Sequence, residues 1–91
     1  MKIAFYEVRD AERHYLEPLF PLHHLSVFEE PLCEENVIAD ADIISVFIYS
    51  HVTEQLLKKM PHLRAIVTRS AGIDHLDAEA CARRKIPMHN I

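Results

Sequence analysis

The chain has 91 residues, 49% of them hydrophobic and 26% charged, with a formal net charge of −4. A chain of this length makes one domain at most and buries only ~60–65% of its unfolded surface, so its stability is modest. The acidic balance argues against a nucleic-acid partner, and no run of ~18 apolar residues is present to cross a membrane.

The opening MKIAFYEVRD is too polar for a signal peptide, which points to a cytoplasmic protein. Cys33 and Cys81 fall in different predicted elements without CxxC spacing, so reduced thiols are expected. The clusters Lys58-Lys59 and Arg83-Arg84-Lys85 sit near predicted helix ends, where cations complement the macrodipole.

Lys2 to Val8 is rich in β-formers and reads as an interior first strand. Asp10 offers a cap for a helix over Ala11 to Glu17, which Pro18 and Pro21 end, with Tyr15 and Leu16 facing the sheet. Leu19, Phe20 and Leu22 continue as an apolar loop. Leu25 to Phe28 alternates in hydrophobicity and suits an edge strand, stopped by Glu29-Glu30-Pro31. Glu34 to Ala39 leaves room for barely two helical turns, with Val37 and Ile38 inward.

Ile43 to Ile48 is the most apolar stretch and therefore the expected centre of the sheet. Thr53 caps a helix through about Met60 whose Leu56, Leu57 and Met60 face the sheet, and Pro61 closes it. Ala65-Ile66-Val67 is the fourth strand. Asp77 caps a helix from Ala78 to about Arg84, and Ile86 to Ile91 makes a fifth strand at an edge, where proline is tolerated. The order βαβαβαβαβ demands parallel strands with right-handed crossovers, hence an α/β, flavodoxin-like three-layer domain with a five-stranded sheet of order 2-1-3-4-5.

Between the fourth strand and its helix lies Arg69-Ser70-Ala71-Gly72-Ile73-Asp74-His75-Leu76, holding the only glycine of the chain. A lone glycine marks a place where the backbone needs freedom that a Cβ denies. In open α/β sheets this turn lies at the carboxyl ends of the strands, where ligands bind, and its N–H groups can form a nest for a carboxylate. A simple turning role for Gly72 is the other reading.

The wording TRSAGIDHLD, preceded by VFIYSHVTEQLLKKMPHLRAIV and followed by AEACARRKIPMHNI, resembles the D-isomer-specific 2-hydroxyacid dehydrogenase family. The resemblance runs from about Ala41 to Ile91 and weakly through the first strand. It implies that the sheet is the substrate-binding, or catalytic, domain of an oxidoreductase that moves hydride between NAD(H) and a small D-2-hydroxy or 2-oxo acid. By position it implies that the amides of Ala71 and Gly72 hold the substrate carboxylate. Ile48, Tyr49 and Ser50 match the loop lining the far side of the pocket, and Arg69 and Ser70 match a segment that shapes the turn.

In the family an inserted Rossmann domain holds NAD, and an arginine, a glutamate and a histidine do the chemistry. All four belong to the pattern after Ile91, and no GxGxxG follows a strand here. The expectation is a substrate-domain fragment, inactive alone, with no cofactor bound to it and a truncation surface that promotes self-association. Lys85 stands where the family usually has glycine, so a residue with a Cβ is expected at positive φ.

Seven histidines invite a metal site, but none makes an HxxxH pair on a predicted helix. His75 beside Gly72 is an acid/base candidate, weaker than a turn-forming role. Arg69 and Asp74 are expected to pair across the turn. The rival reading is a non-catalytic flavodoxin-like module binding a small anion or a partner protein. Receiver-domain chemistry does not fit, because Glu7 and Asp10 make a doubtful acidic pair and no Asp ends the third strand.

Overall fold

The computed structural model describes residues 1–19 and 23–91. Its elements run β1 (Lys2–Phe5), α1 (Asp10–Leu19), β2 (His24–Val27), β3 (Ile43–Val46), α2 (Glu54–Lys58), β4 (Ala65–Thr68), α3 (Ala78–Arg83) and β5 (Met88–His89). All strand pairs are parallel and their order is 2-1-3-4-5. The sheet is the flavodoxin-like one that the alternation of elements demands, with the apolar β3 in the middle and the half-polar β2 at one edge.

Register places Ala4 beside Ile44 and Ile44 beside Ile66, all fully buried. These residues form one core with Leu56, Leu57 and Met60 from the α2 region and with Cys81 and Ile86 around α3. On the opposite face Ile3, Phe5 and Val8 make a smaller cluster against which Leu16 of α1 packs. Alternation along each strand thus feeds two layers, as the period of two requires.

Both anticipated caps are made: Thr53 Oγ1 accepts from Leu56 N at 3.3 Å, and Asp77 Oδ1 from Ala80 N at 3.0 Å. Arg84 donates to the carbonyls of Leu57 and of Met60, adding a side-chain bond to carbonyls that already accept from Met60 N and Leu63 N and so tying the end of α3 to the end of α2.

Several local expectations shift. Asp10 is the first residue of α1 rather than its cap; the Arg9 carbonyl accepts from Glu12 N and Arg13 N, while Glu12 Oε1 accepts from Arg9 N at 3.3 Å. Pro18 lies inside the last turn, where a missing N–H forfeits only one helical bond. Leu16 packs inward, but Tyr15 is 76% exposed. Phe20 and Leu22 lie outside the described residues, and the side chain of Leu19 is likewise not described.

No helix forms over Glu34 to Ala39; it is a turn instead. Asn36 competes with helical bonding there, its Oδ1 accepting from Cys33 N at 2.8 Å and its Nδ2 donating to Pro31 O at 2.9 Å. Val37 and Ile38 nevertheless pack on the core. The Asn36 carbonyl accepts from Tyr6 Oη at 2.8 Å, and the Tyr6 ring stacks on Phe28 with centroids 5.0 Å apart. Burial pushes the Tyr6 phenol up to about 12. Among the described residues no helix is long and apolar enough to cross a membrane.

Among the described residues two non-glycine residues hold positive φ, Glu7 at 60° and Lys85 at 56°. Lys85 ends α3 in the position that favours glycine, its N–H reaching Ala82 O at 3.1 Å. Its side chain is exposed, so Lys85→Gly relieves backbone strain without opening the core. The substitution is expected to stabilise the chain by ~0.5–1 kcal/mol, read as a higher denaturant midpoint at unchanged m.

Candidate functional site

Parallel strands all finish at one edge, and there their last backbone groups need partners from loops. The exits of β1, β3 and β4 supply them to each other. Arg69, just after β4, reaches across β3: its Nε donates to Val46 O at 3.4 Å and its Nη2 to Tyr6 O and, at 3.4 Å, to Glu7 O. It does not pair with Asp74 as the sequence suggests, because three carbonyls at the exits of β1 and β3 take its donors while Asp74 faces solvent. Burial draws the guanidinium below its ordinary pKa, against the opposing pull of Glu12 and Glu7.

The turn after β3 is held by a carboxylate. Glu7 Oε2 accepts from Phe47 N at 2.9 Å and from Ser50 Oγ at 2.6 Å, and Oε1 accepts from Tyr49 N at 3.1 Å. Ser50 Oγ also accepts from Leu32 N at 3.0 Å, and the residue is fully buried. Ser50 is therefore committed to the protein and does not line a pocket with its side chain, contrary to the expectation from the family pattern. A short polar group this close to two loops is worth more as their clasp than as a ligand contact.

The turn after β4 has the opposite character, with its acceptors occupied and its donors open. Ser70 O accepts from Ile91 N at 3.1 Å, Ala71 O from Asn90 Nδ2 at 2.6 Å, and Gly72 O from Ser70 Oγ at 2.8 Å. A peptide's N–H points opposite to its C=O, so anchoring the Ser70 and Ala71 carbonyls fixes where the Ala71 and Gly72 amides point. Among the described residues none accepts from either amide. Successive unpaired N–H groups of this kind make an anion-binding nest.

Hydroxyl accounting settles the role of His75. Ser70 spends its single proton on Gly72 O, so it accepts from Thr68 Oγ1 at 2.7 Å; Thr68, its own proton spent, accepts from His75 Nε2 at 2.8 Å. His75 carries its proton on Nε2 and is buried. This is the turn-forming role, and that nitrogen is not offered to a ligand.

Gly72 itself corrects a sequence-level inference. Its φ is not positive, and a Cβ built on it meets nothing within 4 Å. The backbone does not require glycine there; the missing side chain leaves open space above the turn. That space is a concavity of about 280 Å³ lined by Ile48, His51, Gly72, Asp74 and His75. Tyr49, 68% exposed, faces a different and larger concavity of about 650 Å³ with Glu7, Arg9 and Arg69.

Of the residues singled out by sequence, Ile48 and Gly72 are brought together, Ala71 is exposed beside them, Ser70 braces the turn, and Tyr49 and Ser50 lie elsewhere. Glu7 escaped notice as a structural centre. Its signal was an acidic residue two positions past β1, legible only once β1 and β3 are known to be neighbours. Among the described residues no three His, Cys, Asp or Glu side chains gather to hold a metal.

The fold is a doubly wound parallel α/β domain whose β4 turn, at the carboxyl edge of the sheet where such domains bind ligands, leaves two amides open. The sequence matches the D-isomer specific 2-hydroxyacid dehydrogenase catalytic domain over residues 3–91, and the chain belongs to that family. It is 35% identical over 85 residues to the erythronate-4-phosphate dehydrogenase of Shewanella sp. (strain MR-4), covering 91% of this chain and 22% of that protein. It is 30% identical over 97 residues to the D-lactate/D-glycerate dehydrogenase of Pediococcus acidilactici, covering 100% of this chain and 29% of that one. The solved D-lactate dehydrogenase from Aquifex aeolicus, complexed with NAD and lactic acid, superposes with a TM-score of 0.91 at 33% identity, over 98% of this chain and 27% of that one. The chain therefore spans less than a third of the length of these relatives.

Because Asn90 holds the peptide that carries the Gly72 amide, Asn90→Ala is expected to weaken oxalate binding at the turn about threefold to tenfold, the worth of one hydrogen bond. Amide shift titrations of isotope-labelled protein measure it. An Asn90→Ala affinity equal to the parent's would show that the peptide is held by other means.

Proposed function

We propose that residues 1–91 are the substrate-binding portion of an NAD-dependent D-2-hydroxyacid dehydrogenase, acting in the cytoplasm on a small 2-oxo or 2-hydroxy carboxylate. The Ala71 and Gly72 amides hold the carboxylate, and Ile48 across the concavity meets the substrate's side chain. One observation carries this reading: the carbonyls of the β4 turn are taken by Ile91, Asn90 and Ser70, while the amides of Ala71 and Gly72 have no acceptor among the described residues.

The residues present do not fit a dinucleotide. A pyrophosphate site needs several glycines where a strand turns into a helix, and this chain has a single glycine. What these residues do is bind and orient: two charge-assisted bonds fix one end of a 2-oxo acid and leave its carbonyl facing outward toward a second domain. Exposed Phe47, Ile48, Tyr49, Ile73 and Ile91 rim the same edge and support closure of another apolar body over it, or self-association where none is supplied.

Two such bonds without the rest of an active site correspond to roughly millimolar affinity. Oxamate titrated into the labelled chain is expected to shift the Ala71 and Gly72 amides most and the Phe47 and Tyr49 amides, already occupied, little. Largest shifts at the β3 turn instead would refute the assignment. With NADH and pyruvate, glyoxylate or hydroxypyruvate, the chain alone is expected to show no NADH oxidation in an absorbance assay.

A further inference from the structure

We infer that Glu7 is a positioning residue for substrate selectivity: its carboxylate, locked into the β3 turn, sets where Ile48 stands opposite Gly72 and so how large a 2-oxo acid the site accepts. The inference rests on the reading of the β4 turn as the carboxylate site.

The β3 and β4 turns are neighbours at the same sheet edge, and each presents backbone amides. At β3 those amides are spent internally, Phe47 N on Glu7 Oε2 at 2.9 Å and Tyr49 N on Oε1 at 3.1 Å, with Ser50 Oγ adding the third bond at 2.6 Å. These donors flank Ile48 on both sides, so the one residue between them has its backbone position dictated by Glu7. Ile48 is 42% exposed and shares the concavity with Gly72, His51, Asp74 and His75.

The carboxylate is itself held firmly. Glu7 has φ 60°, a conformation rare for a residue with a side chain, and its carbonyl accepts from Arg69 Nη2 at 3.4 Å while its N–H donates to Glu30 O at 3.1 Å. Arg69 comes from the foot of the β4 turn. The same side chain thus ties the wall, through Glu7, to the turn whose amides remain open. The internal carboxylate has a second effect: it occupies the Phe47 and Tyr49 amides, which favours the β4 turn as the dock for a substrate's acid group, with the substrate's side chain extending toward Ile48.

The test compares two probes in the 91-residue chain, oxamate and the branched 4-methyl-2-oxopentanoate, by amide shift titration of the parent, Glu7→Gln and Ile48→Ala. Glu7→Gln puts an NH2 where one of three donors requires an acceptor and lets the turn move. It is expected to change the ratio of the two dissociation constants about tenfold, the low end of what one methylene is worth in a hydrophobic pocket, and Ile48→Ala is expected to move the same ratio directly. A purely structural role for Glu7 would shift both affinities together and leave the ratio unmoved, which would overturn the inference. If Glu7→Gln does not fold, Ser50→Ala removes the shortest of the three bonds while keeping the carboxylate and carries the same expectation. Absence of oxamate shifts at Ala71 and Gly72 in the parent would sink the underlying reading, and this inference with it. Such shifts with an unmoved ratio would sink this inference alone.

Discussion

Where a parallel sheet ends, its backbone groups lose their ladder, and the way each exit recovers partners decides what the edge can do. Here the recovery is cooperative among three strands. Arg69 donates to carbonyls at the ends of β1 and β3, and Glu7 accepts from amides at the end of β3. Hydrogen bonds that involve a charged group are worth ~1.5–3 kcal/mol each at most, less where they are exposed, so these two side chains still matter in a small domain with little stability to spare. The β4 turn departs from the rule by satisfying its acceptors and leaving exposed donors to solvent or to a ligand.

That asymmetry links fold to function. The pinning groups of the β4 turn, Asn90 and Ile91, follow β5, and the groups that brace it from below, Thr68 and His75, flank the turn in sequence. A site built this way is rigid because its parts are bonded to the scaffold rather than to each other alone. A turn ordered in advance leaves little conformational entropy for a ligand on its two open amides to remove. Ile48, across the concavity, is placed by different bonds, those that Glu7 accepts from the amides on either side of it.

Much of this architecture was legible beforehand because it depends on short-range patterns. Apolar runs without alternation pointed to interior strands, Thr53 and Asp77 to caps, and Lys85 to a strained helix end, and each depends on residues close in sequence. Expectations failed where a competing local bond won. Asn36 diverted a would-be helix into a turn, and Arg9 with Glu12 displaced Asp10 from the cap. Gly72 was read as a conformational necessity, whereas its φ is ordinary and the space above it is what matters.

The amino-acid order alone determined the layering, the strand order and the position of the β4 turn, since periodicity, breakers and the handedness of crossovers leave few alternatives. Only the tertiary structure decided which polar groups of that edge are spent and which are free. Glu7 and Ser50 stand 43 positions apart, and Arg69 is 63 from Tyr6. Their pairing follows from β1, β3 and β4 lying side by side, and a hydrogen bond depends on distances of tenths of an ångström that no spacing along the chain encodes.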